Sequence, residues 1–223
     1  MEQTNPVTEL ELYLIRHGLT GQSDDADLFP EDPLLTPEGV IQARKLGERL
    51  SEVDFDAVYS SCMRRTVQTA NEIMIRQKRE KPLYLDPVFS ETRISESAKG
   101  TSLEYLKGLC RFAEPADGVT LGDRVFEGNE NDTDADIQKR IGRGLETLIG
   151  RYTNGEKVAV VMHAGIMTHA AFYLMGFKEK LPEDVDISFR NTCITKIVFF
   201  KKGTNPYGSV VFQNMNDTAH LGF

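Results

Sequence analysis

Apolar positions along this chain alternate between two rhythms. Residues 10–15 form a short β-prone run that ends in Arg16-His17-Gly18, where glycine permits a sharp exit from a strand. Thr36-Pro37-Glu38-Gly39 then offers an N-cap and a proline at the first helical position, and Val40, Ala43, Leu46, Gly47 and Leu50 follow at helical spacing. This predicts a helix that runs to about residue 51. A second strand is expected over 55–59, Ser60-Ser61 as a cap, and a helix over 66–75. A weaker strand at 82–85 precedes Glu91. Residues 92–133 mix glycine, charge and short apolar pieces without one clean period, which reads as an insertion. Regularity returns with Ile137, Ile141, Leu145, Leu148, Ile149 and Tyr152, a helical stripe that ends near Asn154-Gly155. A continuous apolar strand at 157–162 ends in His163-Ala164-Gly165, and a helix over 166–175 repeats the layout of the first motif. Strands at 193–200 and 207–212 flank a loop from Lys202 to Pro206 and suit an antiparallel pair at a sheet edge. The alternation predicts one domain over residues 1–223, an α/β fold: a three-layer α/β/α sandwich with a mostly parallel sheet and an antiparallel C-terminal edge pair.

Composition narrows the ligand. The 223 residues carry 26 lysines and arginines against 34 acidic residues, a net charge of −8, the wrong sign for a surface built to hold nucleic acid. An anionic ligand must be held by a few local cations. The N-terminal stretch is polar, and no apolar run reaches the ~20 residues that a membrane helix needs. No signal peptide or membrane segment is expected, and a cytoplasmic location follows from that reading. Cys62, Cys110 and Cys193 are odd in number and widely spaced, poor material for disulfides or metal sites.

Open parallel sheets bind ligands beyond the carboxyl ends of their strands. Here those ends are Arg16-His17, Ser60-Ser61 with Arg65, Glu91 and His163, which gives two histidines, two arginines and a carboxyl group. Arginine's planar fork matches phosphate oxygens, and histidine serves as an uncharged nucleophile near neutral pH. Arg64 and Arg65 fall in the first turn of a helix, where the dipole disfavours cations; a bound anion would remove that conflict. Arg64 is nevertheless read as pointing into solvent. His169 reads as a packed or surface side chain, and His220 stays unassigned at a terminus. Asp24, Asp25, Asp27, Glu31 and Asp32 match no metal-loop spacing and read as a solvated acidic loop.

Leu14-Ile15-Arg16-His17-Gly18-Leu19-Thr20 resembles the signature of the histidine phosphatase superfamily, the phosphoglycerate mutase-like proteins. The resemblance continues in order through 35–43, through Ser60-Ser61-Cys62-Met63-Arg64-Arg65-Thr66-Val67-Gln68-Thr69-Ala70, through Phe89-Ser90-Glu91, and through Val161-Met162-His163-Ala164-Gly165. It implies that His17 is the nucleophile, that Arg16, Arg65 and His163 hold the phosphoryl oxygens, and that Glu91 is the proton donor, with no metal or other cofactor. The family often has tryptophan-asparagine after the signature, where this chain has Gln22-Ser23; Ser23 then replaces one of the asparagine's hydrogen bonds to phosphate. Glu96 is a rival acid. Ala164 follows the second histidine, where the acid phosphatase branch places its acid, and this favours the branch that uses the earlier glutamate.

The expected function is a metal-independent phosphatase for small phosphate monoesters, acting through a phosphohistidine. One alternative is a phosphoglycerate-type mutase, which must protect its phosphohistidine from water and hold a second acidic group; no additional basic cluster is dedicated to that task. The other is a catalytically weak module that binds phosphorylated ligands, against which the intact Arg16, His17, Arg65 and His163 argue. The partner expected is a small phosphorylated substrate, with neither nucleic acid nor membrane.

Overall fold

A computed structural model describes residues 5–21, 32–96, 98, 100–122 and 125–222. Among the described residues a seven-stranded sheet carries the fold, with β1 (Thr8–Arg16), β2 (Ala57–Ser60), β3 (Leu83–Leu85), β4 (Ala113–Pro115), β5 (Glu156–Met162), β6 (Ile194–Phe200) and β7 (Val210–Asp217). The spatial order is β4-β3-β2-β5-β1-β6-β7. β4, β3, β2, β5 and β1 run parallel, whereas β6 and β7 are antiparallel to their neighbours. The carboxyl ends of the five parallel strands therefore share one edge of the sheet.

Helices α1 (Pro37–Leu50), α2 (Arg64–Met74), α3 (Leu103–Leu109), α4 (Asp134–Arg151) and α5 (Ala164–Leu174) cover both faces. Side chains alternate along a strand, so β1 divides its apolar residues between two cores. Tyr13 and Ile15 join Leu46 of α1, Val67 and Ile73 of α2 and Leu106 of α3 on one face. Leu10, Leu12 and Leu14 join Ile141 and Leu145 of α4 and Ile166 and Ala170 of α5 on the other. The expected α/β/α sandwich with its antiparallel edge is what forms.

Several boundaries differ for local reasons. α4 starts at Asp134, ahead of the apolar stripe, because Thr133 and Asp136 form a reciprocal capping box. The last strand begins only at Val210, since Gly208 sits at φ +112°, and it extends to Asp217. Residues 92–133 add α3 and the edge strand β4, which pairs in parallel with β3. The Ser60-Ser61 cap does not form: Met63 occupies the N-cap position of α2 without a side-chain bond, and the Asp32 carboxylate accepts from Arg64 N instead, at 2.9 and 3.1 Å.

Candidate active site

The strand register brings the two motif histidines together. Arg16 pairs with Met162 across β1 and β5, and His17 N donates to Met162 O at 3.0 Å, extending the ladder one residue past the strand. Ser61 N does the same to Val161 O at 3.1 Å from β2. His17, Ser61 and His163 are thus neighbours fixed by backbone, and the two imidazole centroids lie 5.1 Å apart. The turn before β6 grips His17 from behind, with Thr192 N and Asn191 Nδ2 donating to its carbonyl at 3.2 and 3.1 Å.

Both imidazoles are held uncharged. His17 is 4 % exposed and its pKa lies well below the usual histidine value, through desolvation first and then the Arg65 guanidinium, with Arg16 adding to the same effect. His17 Nδ1 lies 2.7 Å from Gly18 O. A carbonyl only accepts, so Nδ1 carries the proton and the lone pair is on Nε2. His163 is fully buried, and desolvation followed by the Arg65 charge depresses its pKa in the same way. His163 Nε2 is 2.8 Å from Ser61 Oγ, which is 2.7 Å from Thr66 Oγ1, while His163 Nδ1 has no hydrogen-bond partner among the described residues.

The arginines are fixed differently. Arg16 Nη1 donates to Phe189 O at 2.6 Å, and its buried Nε has no partner among the described residues. Arg65 is buried at the start of α2 and pairs with Asp32 Oδ1 at 3.4 Å. Arg64 is fully buried, contrary to the solvent-facing expectation, and its Nε donates to Asp32 O at 2.8 Å. Asp32 is fully buried, contrary to the solvated reading of its stretch. Asp24, Asp25, Asp27 and Glu31 lie outside the described residues, as does Ser23.

Glu91 lies past β3 and a short 3-10 turn, Pro87–Phe89, and its carboxyl reaches the N-terminus of α5. Its Oε1 accepts from Thr92 N at 2.9 Å and from Ile166 N at 3.2 Å. A Cβ on Gly165 would stand 2.7 Å from that oxygen and 2.6 Å from Thr92 Oγ1, so only glycine leaves room for this approach. Glu91 also lies close enough to act electrostatically on Arg16. Glu96 is exposed.

His169 is packed, 5 % exposed, with Nε2 3.9 Å from Asp134 Oδ1. His220 is tied in place. Its Nδ1 accepts from Arg49 Nη1 at 3.4 Å, its Nε2 donates to Thr192 Oγ1 at 3.1 Å, and Arg49 also pairs with Asp217. Burial first, and then Arg49, push the His220 pKa down to about 4. The C-terminal turn is thereby linked to the segment that holds the His17 carbonyl.

Sequence reasoning missed Asp32, the Ser61 contact with His163, and Arg140. Only Arg140 left a signal: it is a cation set at helical spacing between Ile137 and Gly144 on the stripe that α4 buries.

The parallel strand ends thus gather two imidazoles of depressed pKa and two arginines. The chain belongs to the histidine phosphatase superfamily (branch 1), whose sequence profile matches residues 12–208. It is 26 % identical to a probable phosphatase of Schizosaccharomyces pombe over 220 residues, 95 % of each chain. Among solved structures it resembles Bacillus stearothermophilus YhfR, with a TM-score of 0.66 at 22 % identity, covering 95 % of this chain and 99 % of that one. It also resembles a phosphoserine phosphatase mutant of Entamoeba histolytica in complex with phosphoserine, with a TM-score of 0.62, 22 % identity and the same coverage.

Proposed function

We propose that the protein is a phosphatase that hydrolyses small phosphate monoesters through a phosphohistidine on His17. The observation that carries this reading is the His17 tautomer: with Nδ1 committed to Gly18 O, Nε2 offers its lone pair in a site bounded by Arg65 and His163.

In the first step Nε2 attacks phosphorus and the ester P–O bond breaks. Charge on the equatorial oxygens is met by Arg16 and Arg65. With the Ser61 hydroxyl donating to His163 Nε2, His163 Nδ1 holds a proton and donates to a third phosphoryl oxygen. Glu91 gives its proton to the departing alkoxide from Oε2, since Oε1 is anchored by two amides. In the second step water attacks phosphorus and passes its proton to the Glu91 carboxylate. The P–N bond breaks, its electron pair returns to Nε2, and orthophosphate leaves. In this reading Ser23 adds one hydrogen bond to phosphate. No step requires a metal or other cofactor.

His17→Ala should abolish phosphate release from every ester tried while leaving the urea midpoint close to wild type. A variant that retains most of its turnover would rule out this nucleophile. Phosphate released from 3-phosphoglycerate more readily than 2-phosphoglycerate is formed marks the phosphatase; the reverse ratio marks a mutase.

A further inference from the structure

His17 and Ser61 are held by ladder bonds at strand ends and His163 directly follows β5, whereas Glu91 stands away from the sheet. It lies beyond β3 and the 3-10 turn, where the chain has left the sheet while still buried: Val88, Phe89 and Ser90 are 3 %, 1 % and 0 % exposed. Buried carbonyls in such a segment need donors that no neighbouring strand supplies. Arg140 of α4 supplies them. Its Nη1 donates to Val88 O at 3.1 Å and to Ser90 O at 2.8 Å, and its Nη2 donates to Glu91 O at 3.1 Å.

Two features show that this contact is built into the packing. α4 approaches the segment so closely at Gly144 that a Cβ there would lie 2.9 Å from Val88 Cγ1 and 3.1 Å from Phe89 Cε1. Arg140 is itself 5 % exposed, and its charge is supported at longer range by Glu127, Asp132 and Glu91. A cation is costly to bury, so a leucine would serve better if the helix only had to pack there. The planar fork does what neither an apolar side chain nor a point-like ammonium does: it ties carbonyls of residues 88, 90 and 91 to one rigid group.

We propose that Arg140 is a positioning residue for the general acid, fixing the backbone on which Glu91 swings so that its carboxyl meets the leaving-group oxygen. The proposal rests on Glu91 being the acid. A carboxyl displaced by about 1 Å costs on the order of 100-fold in proton transfer, while groups that only hold phosphate are unaffected. The effect should therefore depend on the leaving group. An alkyl alcohol needs the proton, whereas nitrophenolate leaves without it.

The test compares wild type, Glu91→Gln, Arg140→Lys, Arg140→Met and the double variant Glu91→Gln with Arg140→Lys. Each is assayed in single turnover with an alkyl phosphate and with nitrophenyl phosphate, and urea unfolding of each reports the fold. Arg140→Lys should lose roughly 10-fold to 100-fold on the alkyl substrate and less than about threefold on the nitrophenyl burst, and Arg140→Met should lose more on the alkyl substrate. In the Glu91→Gln background Arg140→Lys should add no further leaving-group dependence. If Arg140→Met does not fold, Arg140→Lys and the double variant decide the matter. Selective loss in Glu91→Gln with equal loss on both substrates in Arg140→Lys would overturn the positioning role and leave the acid in place. Equal losses in Glu91→Gln itself would remove Glu91 as the acid, and the role of Arg140 with it.

Discussion

Replacing Asp32 exposes how much the site depends on one buried carboxylate. Asp32 is fully buried; it caps α2 through Arg64 N at 2.9 and 3.1 Å and pairs with Arg65 at 3.4 Å. Asp32→Asn keeps an oxygen for the cap but removes the buried negative charge that pairs with Arg64 and Arg65. Removing one partner of a buried pair costs about 3–5 kcal/mol. Asparagine's retained oxygen places this change at the low end, about 3 kcal/mol. Asp32→Ala loses the cap as well, which adds about 1 kcal/mol. With a urea m-value of about 2–3 kcal/mol/M, the midpoint should fall by at least about 1 M in Asp32→Asn and further in Asp32→Ala. Turnover measured well below the midpoint should fall too, because Arg65 loses its ion pair with Asp32. A midpoint for Asp32→Asn within about 0.2 M of wild type, or an alanine variant no worse than the asparagine one, would refute this account of the α2 N-terminus.

Three further outcomes follow from the geometry. Ser61→Ala removes the hydroxyl beside His163 Nε2, so kcat/KM should fall about tenfold, equally for alkyl and nitrophenyl substrates, because His163 serves phosphate and not the leaving group; a leaving-group-dependent loss would contradict this. Gly165→Ala places a methyl 2.7 Å from Glu91 Oε1 and should depress alkyl phosphate turnover on the order of 100-fold, a result overturned by wild-type kinetics. His17 and His163 both have pKa values well below the usual one in the folded chain, so below about pH 6.5 the unfolded chain binds the additional protons and stability falls as pH falls. Urea titrations from pH 7 to 5 should show a slope of up to about 1.4 kcal/mol per pH unit for each histidine, and His163→Asn should remove one such increment; an unchanged slope would contradict the buried neutral state.

The sheet and its motif-bearing ends were legible because β1, β2 and β5 are apolar runs terminated by residues that polar chemistry requires. What sequence hid was contact across long separations. Asp32 reads as one more acid in an acidic stretch, and only the fold shows it buried beneath α2. The sequence reads Arg64 as pointing into solvent because nothing near it in the chain offers a buried partner, whereas Asp32 lies 32 residues earlier. Ser61 looked like a helix cap, since serine before a helix ordinarily is one; the neighbouring strand instead turns it toward His163. α3 and β4 escaped notice because elements of seven and three residues are too short for a period to emerge. His220 gave no sign that the C-terminal turn reaches the segment holding His17.

The central claim is a covalent bond between phosphorus and His17 Nε2. Mixing enzyme with excess nitrophenyl phosphate, quenching within milliseconds at alkaline pH to spare the acid-labile P–N bond, and mapping the phosphorylated peptide by mass spectrometry tests it directly. The account predicts one phosphoryl group, on the peptide containing His17, which forms at the rate of the nitrophenol burst and accumulates further in Glu91→Gln. Turnover with no phosphopeptide in either protein, or with the phosphoryl group on another residue, would contradict it.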